Sequence, residues 1–91
     1  MFRNRIVGST EDGISLSGAG TTGTTVIERN VSNGNGDDGI DVDTAKAVIS
    51  QNSANDNADL GIEAVPGVTD GGGNKARGNG DPAQCLNVSC R

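Results

Sequence analysis

The chain repeats itself every 22 residues. Asn30, Asn52 and Asn74 are spaced by that interval, and residues 26–42 (VIERNVSNGNGDDGIDV) align without a gap to residues 48–64 (VISQNSANDNADLGIEA). The same frame occurs 26 residues upstream of the first of these segments, and its four extra residues fit in the loop 18–25. A fixed period of this length is typical of a solenoid, in which each repeat forms one coil and stacks on the next.

The apolar residues of the repeat predict two short strands in each coil. Isoleucine occupies one column and another apolar residue follows two positions later, so both face the same side of a strand. A β-branched pair marks a second strand, because such side chains favour strand over helix. The first strand carries Ile14, Ile40 and Ile62 with Leu16, Val42 and Ala64, and the second carries Val26, Val48, Ile27 and Ile49.

Asparagine and glycine columns predict the corners between strands. Strands of neighbouring coils lie about 4.8 Å apart, so an asparagine amide reaches the same amide in the next coil and a ladder forms. A glycine before each isoleucine is expected to have a positive φ where the chain turns. The predicted ladders are Asn30, Asn52, Asn74 and Asn35, Asn57, Asn79, and the glycines are Gly13, Gly39 and Gly61.

These columns predict one all-β domain, a solenoid of about three and a half coils over residues 1–91. The coils span about 1–25, 26–47 and 48–73, and a degenerate cap follows at 74–91. Residues 66–73 are expected to interrupt the second strand column. The 15 glycines, single aromatic residue and net charge of −5 are also typical of disorder. The aligned columns favour the solenoid, because a disordered tail has no reason to keep them in register.

The same segments resemble a known family. Residues 26–42 and 48–64 look like the right-handed parallel β-helix repeats of the pectin-lyase-like superfamily, and residues 74–90 (NKARGNGDPAQCLNVSC) look like the C-terminal end of secreted bacterial members. The resemblance covers nearly the whole chain and implies a right-handed parallel β-helix. It implies no single activity, because the superfamily includes lyases, hydrolases, epimerases, phage tail spikes and modules without known chemistry.

The chain has two cysteines, Cys85 and Cys90, and no histidine, so a zinc site would lack ligands. We expect the two cysteines to form a disulfide rather than to remain free thiols. A disulfide indicates an oxidising compartment, so we expect an extracellular or secreted parent protein, although no signal peptide is visible. No segment approaches the ~20 apolar residues of a membrane span. The acidic balance argues against nucleic acid and anionic membranes as partners.

One column of carboxylates has two interpretations. Its members precede the corner glycines, where an acidic side chain accepts backbone N–H bonds and caps the turn. Alternatively the column holds Ca²⁺ between coils, since that ion takes carboxylate oxygens. We expect capping and no cofactor, because no full ligand set can be named. The column is Glu11, Asp37, Asp59 and Asp81, and Asp41 and Glu63 form a second, outward column.

Asp37, Asp38 and Asp41 also resemble the paired-aspartate segment of β-helix polygalacturonases. The resemblance implies carboxylates acting as acid and base on a glycosidic bond, which inversion requires about 6.5–9.5 Å apart. The family's active-site histidine has no counterpart, because the chain contains no histidine. The chain also lacks Trp and Tyr, so it has no aromatic platform for a sugar ring. We therefore expect no enzyme activity.

These observations lead to three expectations for function. The first is a non-catalytic extracellular β-helix module that is structural or binds polysaccharide weakly. The second is the C-terminal fragment of a polysaccharide-degrading enzyme, and the third is a unit that self-associates through an open edge. Phe2 and Ile6 lie in a first coil that nothing covers, and an unpaired strand edge invites pairing. We expect a homo-oligomer through this N-terminal edge, with a closed pair favoured over open stacking.

Overall fold

The computed structural model describes residues 2–17 and 23–91, and part of the loop 18–25 therefore lies outside the described residues. Within these ranges the chain forms nine short strands. The described residues include no helix long and apolar enough to cross a membrane. The strands are β1 (Arg5–Val7), β2 (Ile14–Leu16), β3 (Thr25–Glu28), β4 (Val31–Asn33), β5 (Ile40–Val42), β6 (Ala47–Ser50), β7 (Ile62–Ala64), β8 (Thr69–Gly72) and β9 (Cys85–Leu86).

All strand pairs are parallel, and they form three sheets with the orders β1-β4, β2-β5-β7-β9 and β3-β6-β8. The register follows the sequence columns. Ile40 lies between Ile14 and Ile62, and Ile27 lies opposite Ile49. The chain is therefore an all-β parallel solenoid of about 4 turns, which confirms the predicted fold class.

The β1-β4 sheet was not predicted. It is continued by isolated bridges from Val31 to Ser53 and from Ser53 to Lys75, so a third line of pairing runs along the solenoid. Its residues are a mixture of arginine, isoleucine, valine, serine, asparagine and lysine, and no repeated apolar column marks them as strand. Backbone hydrogen bonds between coils form this sheet, and the pattern of side chains in the sequence does not indicate them.

The core is a thin stack of aliphatic side chains. Ile27, Ile40, Ile49 and Ile62 are all 0% exposed. Val42 is buried in the same cluster, and Leu16 packs against it from the first coil, partly buried. Ile40 lies opposite Ile62 and Ile27 lies opposite Ile49, so two apolar columns join successive coils.

The corner glycines are required for a different reason from the one expected. Gly13, Gly39 and Gly61 are not among the residues with positive φ, so that prediction is wrong. They are required because the coils approach too closely for a side chain. A Cβ at Gly39 would lie 2.7 Å from the Gly61 carbonyl oxygen and 2.7 Å from Asn57 Nδ2.

Left-handed backbone occurs instead at the residue before each ladder position. Two columns adopt it, and they include side chains that seldom do so. A single left-handed residue turns the chain sharply and directs the following side chain into the interior. The columns are Arg3, Arg29, Gln51, Gly73 and Gly8, Gly34, Asp56, Gly78.

A cap covers part of the C-terminal end of the solenoid, and it begins later in the chain than the sequence predicted. β8 pairs with β6 despite an irregular register, so residues 66–73 continue the sheet that we expected them to interrupt. Their polar residues are exposed and add nothing to the core. β9 then covers β7, and the predicted Cys85–Cys90 disulfide is present. Val88, between the two cysteines, is buried against the core.

Candidate functional site

The first asparagine ladder runs the length of the solenoid. In each step, the backbone N–H and side-chain Nδ2 of one asparagine donate to Oδ1 of the next. The distances are 2.9 and 3.1 Å from Asn4 to Asn30, 2.9 and 3.1 Å from Asn30 to Asn52, and 3.1 and 3.1 Å from Asn52 to Asn74. All donors therefore point from the N-terminal to the C-terminal coil, and the ladder has a polarity.

The second ladder has the same polarity and a different end. Asn35 donates twice to Asn57 Oδ1, and Asn57 donates twice to Asn79 Oδ1. Asn79 then donates its N–H and Nδ2 to Gln84 Oε1, at 3.0 and 2.9 Å. Gln84 thus substitutes for the next asparagine and terminates this ladder. The sequence gives little sign of it, because Gln84 is five residues from Asn79 rather than 22.

Each inner asparagine uses its whole hydrogen-bonding capacity. Asn52 Oδ1 accepts two bonds from Asn30, and its Nδ2 donates to the Ile27 carbonyl at 2.9 Å and to Asn74 Oδ1. Its exposed fraction is 1%. Among the described residues, every buried side-chain nitrogen and oxygen has a partner. The ladders therefore place polar groups in the interior without a desolvation penalty.

A third asparagine column was not identified from the sequence. Asn33 Oδ1 accepts the backbone N–H of Asn55, and Asn55 Oδ1 accepts that of Arg77, both at 2.9 Å. This column runs with the opposite polarity and is half-buried. Among the described residues no side-chain Nδ2 of this column donates to another member, so each step has one bond where the ladders have two.

The acidic column lies in register, but its side chains cap less than expected. The backbone N–H groups of Asp37, Asp59 and Asp81 bond the preceding member's carbonyl at 3.2, 3.1 and 2.9 Å. Of the four side chains, only that of Asp81 accepts a backbone N–H among the described residues, from Ala83. Glu11 opens the column and is exposed, as are Asp37 and Asp59.

The neighbouring column provides the caps instead. Asp12 Oδ1 accepts the N–H of Asp38, and Asp38 Oδ1 accepts the N–H of Leu60, both at 3.0 Å. Asp38 is 1% exposed. The column ends at Leu60, which is buried at the equivalent place, so a capping carboxylate and an apolar side chain occupy the same position in successive coils.

Two groups of carboxylates form around Asp38. Oxygens of Asp12, Asp37 and Asp38 lie within 4.8 Å of one another, and so do oxygens of Asp38, Asp41 and Glu63. We call these five residues the acidic corner. Among the described residues, Glu11, Asp59 and Asp81 do not join such a group, so the structure does not bring the proposed calcium column together.

Crowding and burial raise the pKa values in the acidic corner. Burial, followed by a hydrogen bond to Glu63, raises the pKa of Asp38 to about 8. Burial, followed by the charges of Asp43 and Asp12, raises the pKa of Asp41 to about 7. Asp38 is therefore largely protonated at neutral pH and hydrogen-bonds Glu63.

The two pairs that include Asp38 are closer together than the carboxylates of a glycosidase. Carboxylates of inverting glycosidases lie about 6.5–9.5 Å apart and those of retaining enzymes about 5–5.5 Å apart. Asp38 lies within 4.8 Å of both Asp37 and Asp41. Its oxygens are also buried and bonded to Leu60, so they do not face a substrate.

The N-terminal coil exposes two large hydrophobic side chains, Phe2 and Val7. Phe2 is 51% exposed, and the guanidinium groups of Arg3 and Arg29 lie 4.9 and 5.8 Å from its ring centre. Val7 is 61% exposed. β1 and β2 each pair with a strand on one side only. Both strands therefore present an edge that is open to a further strand.

Comparison with protein-family models, with curated proteins and with solved structures found no significant match. The β-solenoid is evident from the coordinates alone, and membership of the pectin-lyase-like superfamily stays a prediction.

Proposed function

We propose that this chain is a non-catalytic extracellular β-solenoid module with a structural role and weak affinity for polysaccharide. The observation that carries the proposal is the use made of polar side chains. The asparagines are saturated by one another, and Asp38, at the centre of the acidic corner, is buried and bonded to the backbone. The side chains that most resemble catalytic or binding groups therefore hold the coils together.

A stack of this kind suits a spacer. The first ladder joins Asn4 to Asn74 in three equivalent steps, and each step adds about 4.8 Å of length. These ladder bonds join one coil to the next, so separating two coils requires the bonds between them to break together. The disulfide across the last turn is compatible with the oxidising conditions of an extracellular setting.

Weak polysaccharide binding is proposed on the polar outer faces. Asp41 and Glu63 project from the β5-β7 sheet and make it anionic, so a uronate polymer would be repelled and a neutral glycan tolerated. The guanidinium groups of Arg3 and Arg29 lie near the Phe2 ring and would compete with a sugar for its face.

The test is incubation with polygalacturonate and with a neutral glucan, followed by assays for new reducing ends and for unsaturated uronate products. We expect neither product, and only weak retardation of the protein by the neutral polymer in affinity electrophoresis. Turnover that is lost in Asp38→Asn and retained in the matched Asp59→Asn variant would overturn the proposal, because Asp59 is outside the acidic corner.

Self-association is a second candidate, and the open first coil favours it. β1 and β2 present unpaired edges beside exposed Phe2 and Val7. Unpaired edges of this kind are templates for another chain. A mass that increases with concentration would support it.

A further inference from the structure

We propose that the N-terminal coil is a docking face for the C-terminal end of a second copy, and that Gln84 and the Cys85–Cys90 loop block this contact until the cap opens. The proposal rests on the self-association proposed above. It adds which end meets which, and what controls the contact.

The polarity of the first ladder identifies the partner. At the N-terminal end Asn4 donates to Asn30, while its own Oδ1 accepts no bond from the described residues. At the C-terminal end Asn74 Oδ1 accepts from Asn52, while the backbone N–H of Asn74 has no acceptor among the described residues. One end therefore offers an acceptor and the other a donor, at the same position in the coil.

The backbone edge agrees with the ladder. The N–H groups of Val31, Ser53 and Lys75 each bond a carbonyl in the preceding coil, at 2.8, 2.9 and 2.8 Å. Arg5 is the first member of this column, so its N–H points out of the N-terminal face. A parallel coil from a second copy supplies the carbonyl that this N–H lacks. A closed pair would instead bring two Asn4 acceptors together, so the ladders favour head-to-tail contact over the closed pair expected from the sequence.

Charge permits the contact. Arg3 and Arg5 offset Glu11 and Asp12, so residues 2–17 carry no net charge although the chain carries −5. The N-terminal face is thus free of the repulsion that the acidic middle coils would impose.

The C-terminal cap occupies the place that a second copy would take. Gln84 Oε1 already accepts the two donors of Asn79. The backbone of Cys90 forms an isolated parallel β-bridge with that of Asn74. The disulfide ties Cys90 to Cys85, which lies opposite Ile62 in the β7-β9 pair. A dithiol reduces the Cys85–Cys90 disulfide to two thiols and is itself oxidised to a disulfide, which lets residues 86–91 move off Asn74. Head-to-tail contact does not close, so the resulting assembly grows.

The experiment measures the mass of the full chain by sedimentation at several concentrations. The oxidised chain is compared with the Cys85→Ser/Cys90→Ser variant and with Gln84→Ala, which frees the Asn79 donors but keeps the disulfide. We expect the oxidised chain to be a monomer. Both variants should associate about tenfold more tightly or better and grow past a dimer.

Arg5 provides the decisive control. Arg5→Pro removes the outward N–H together with the guanidinium, and proline is tolerated on an edge whose N–H faces away from its partner strand. It should abolish association in both cap variants, whereas Arg5→Ala, which keeps the N–H and removes the charge, should not. Far-ultraviolet circular dichroism shows whether each variant is folded, and Gln84→Ala decides the outcome if the double serine variant is not.

Two results would overturn the proposal in distinguishable ways. Folded cap variants that stay monomeric at high micromolar concentration would remove both this contact and self-association. An oxidised chain that forms a dimer and stops would retain self-association but remove the head-to-tail contact and its control by the cap.

Discussion

The amide ladders and the acidic corner are subject to the same stacking of coils, and they respond to it in opposite ways. An amide is both a donor and an acceptor, so Asn30, Asn52 and Asn74 satisfy one another at the spacing of the coils. The stacking that would bury and isolate one amide makes a continuous chain of bonds from several.

A carboxylate is only an acceptor when it is ionised, so the same spacing produces repulsion. Asp12 and Asp38 each find one backbone N–H in the next coil, which uses one oxygen. The remaining oxygens face Asp37, Asp41 and Glu63, and the raised pKa of Asp38 is the response. Repetition therefore stabilises amides and destabilises charged carboxylates.

Removing one amide from the middle of a ladder should have the largest effect. Asn52→Ala leaves the Nδ2 of Asn30, the Ile27 carbonyl and Asn74 Oδ1 short of partners in the interior. Each stranded group costs about 1–3 kcal/mol, so we expect a loss of about 3 kcal/mol or more in the free energy of unfolding. Denaturant titration of the two proteins measures it.

Asn33→Ala is the matched control. Asn33 is half-buried, and its Oδ1 accepts one N–H, that of Asn55. Water can replace that acceptor, so the expected loss is about 1 kcal/mol or less. Equal losses for the two variants would show that the ladder adds nothing beyond single bonds.

The ladders also show how much of the fold was predictable. The 22-residue columns identify Ile14, Ile40 and Ile62 as one stack, because a side chain repeated in register must occupy the same place in each coil. The β1-β4 sheet and the left-handed residue before each ladder asparagine were missed. Arg29 and Gln51 both adopt that conformation, and neither residue type indicates it.

The acidic corner was predicted in part. The sequence column places Asp37 beside Asp59 correctly along the backbone, and the expected caps are formed mainly by the next column instead. The direction of a side chain at a corner depends on the local backbone, which a repeat pattern does not specify. Gln84 was missed because it completes the ladder from within a loop, out of phase with the period.

The stability of the protein should fall as pH rises from 5 to 8.5. A carboxyl whose pKa is raised on folding contributes stability that is complete below its unfolded value, 3.8, and is lost as pH rises through its folded value. The folded values are about 8 for Asp38 and about 7 for Asp41, so the loss begins near pH 4, where the unfolded carboxyls ionise, and is complete near pH 8. Thermal melts across this range should show a decrease of several degrees. A melting temperature that does not change with pH would mean that the five carboxylates are hydrated and that folding does not raise their pKa values.

Asp38→Asn should remove much of that dependence. The amide keeps an oxygen for the Leu60 N–H and supplies a permanent donor to Glu63, as protonated Asp38 does. We expect the gain to be about 1 kcal/mol larger at pH 8.5 than at pH 5, because the folded wild-type carboxyl is neutral at pH 5 and ionised at pH 8.5. Asp59→Asn is the control, since Asp59 is exposed and outside the acidic corner; the same gain in both would reduce the effect to net charge.

The smallest effect is expected from metal ions. Calcium takes 6–8 oxygen ligands, whereas each group in the acidic corner offers three carboxylates. One of them, Asp38, already uses an oxygen for Leu60 and holds a proton near neutral pH. Chelator should therefore leave the melting temperature unchanged at pH 7. The stricter condition is pH 8.5, where Asp38 loses its proton and the corner is most negative. Calcium added there competes with no proton, so a rise in melting temperature at pH 8.5 that disappears in Asp38→Asn would identify a cation site, and the crowded carboxylates would then stabilise the ion-bound protein.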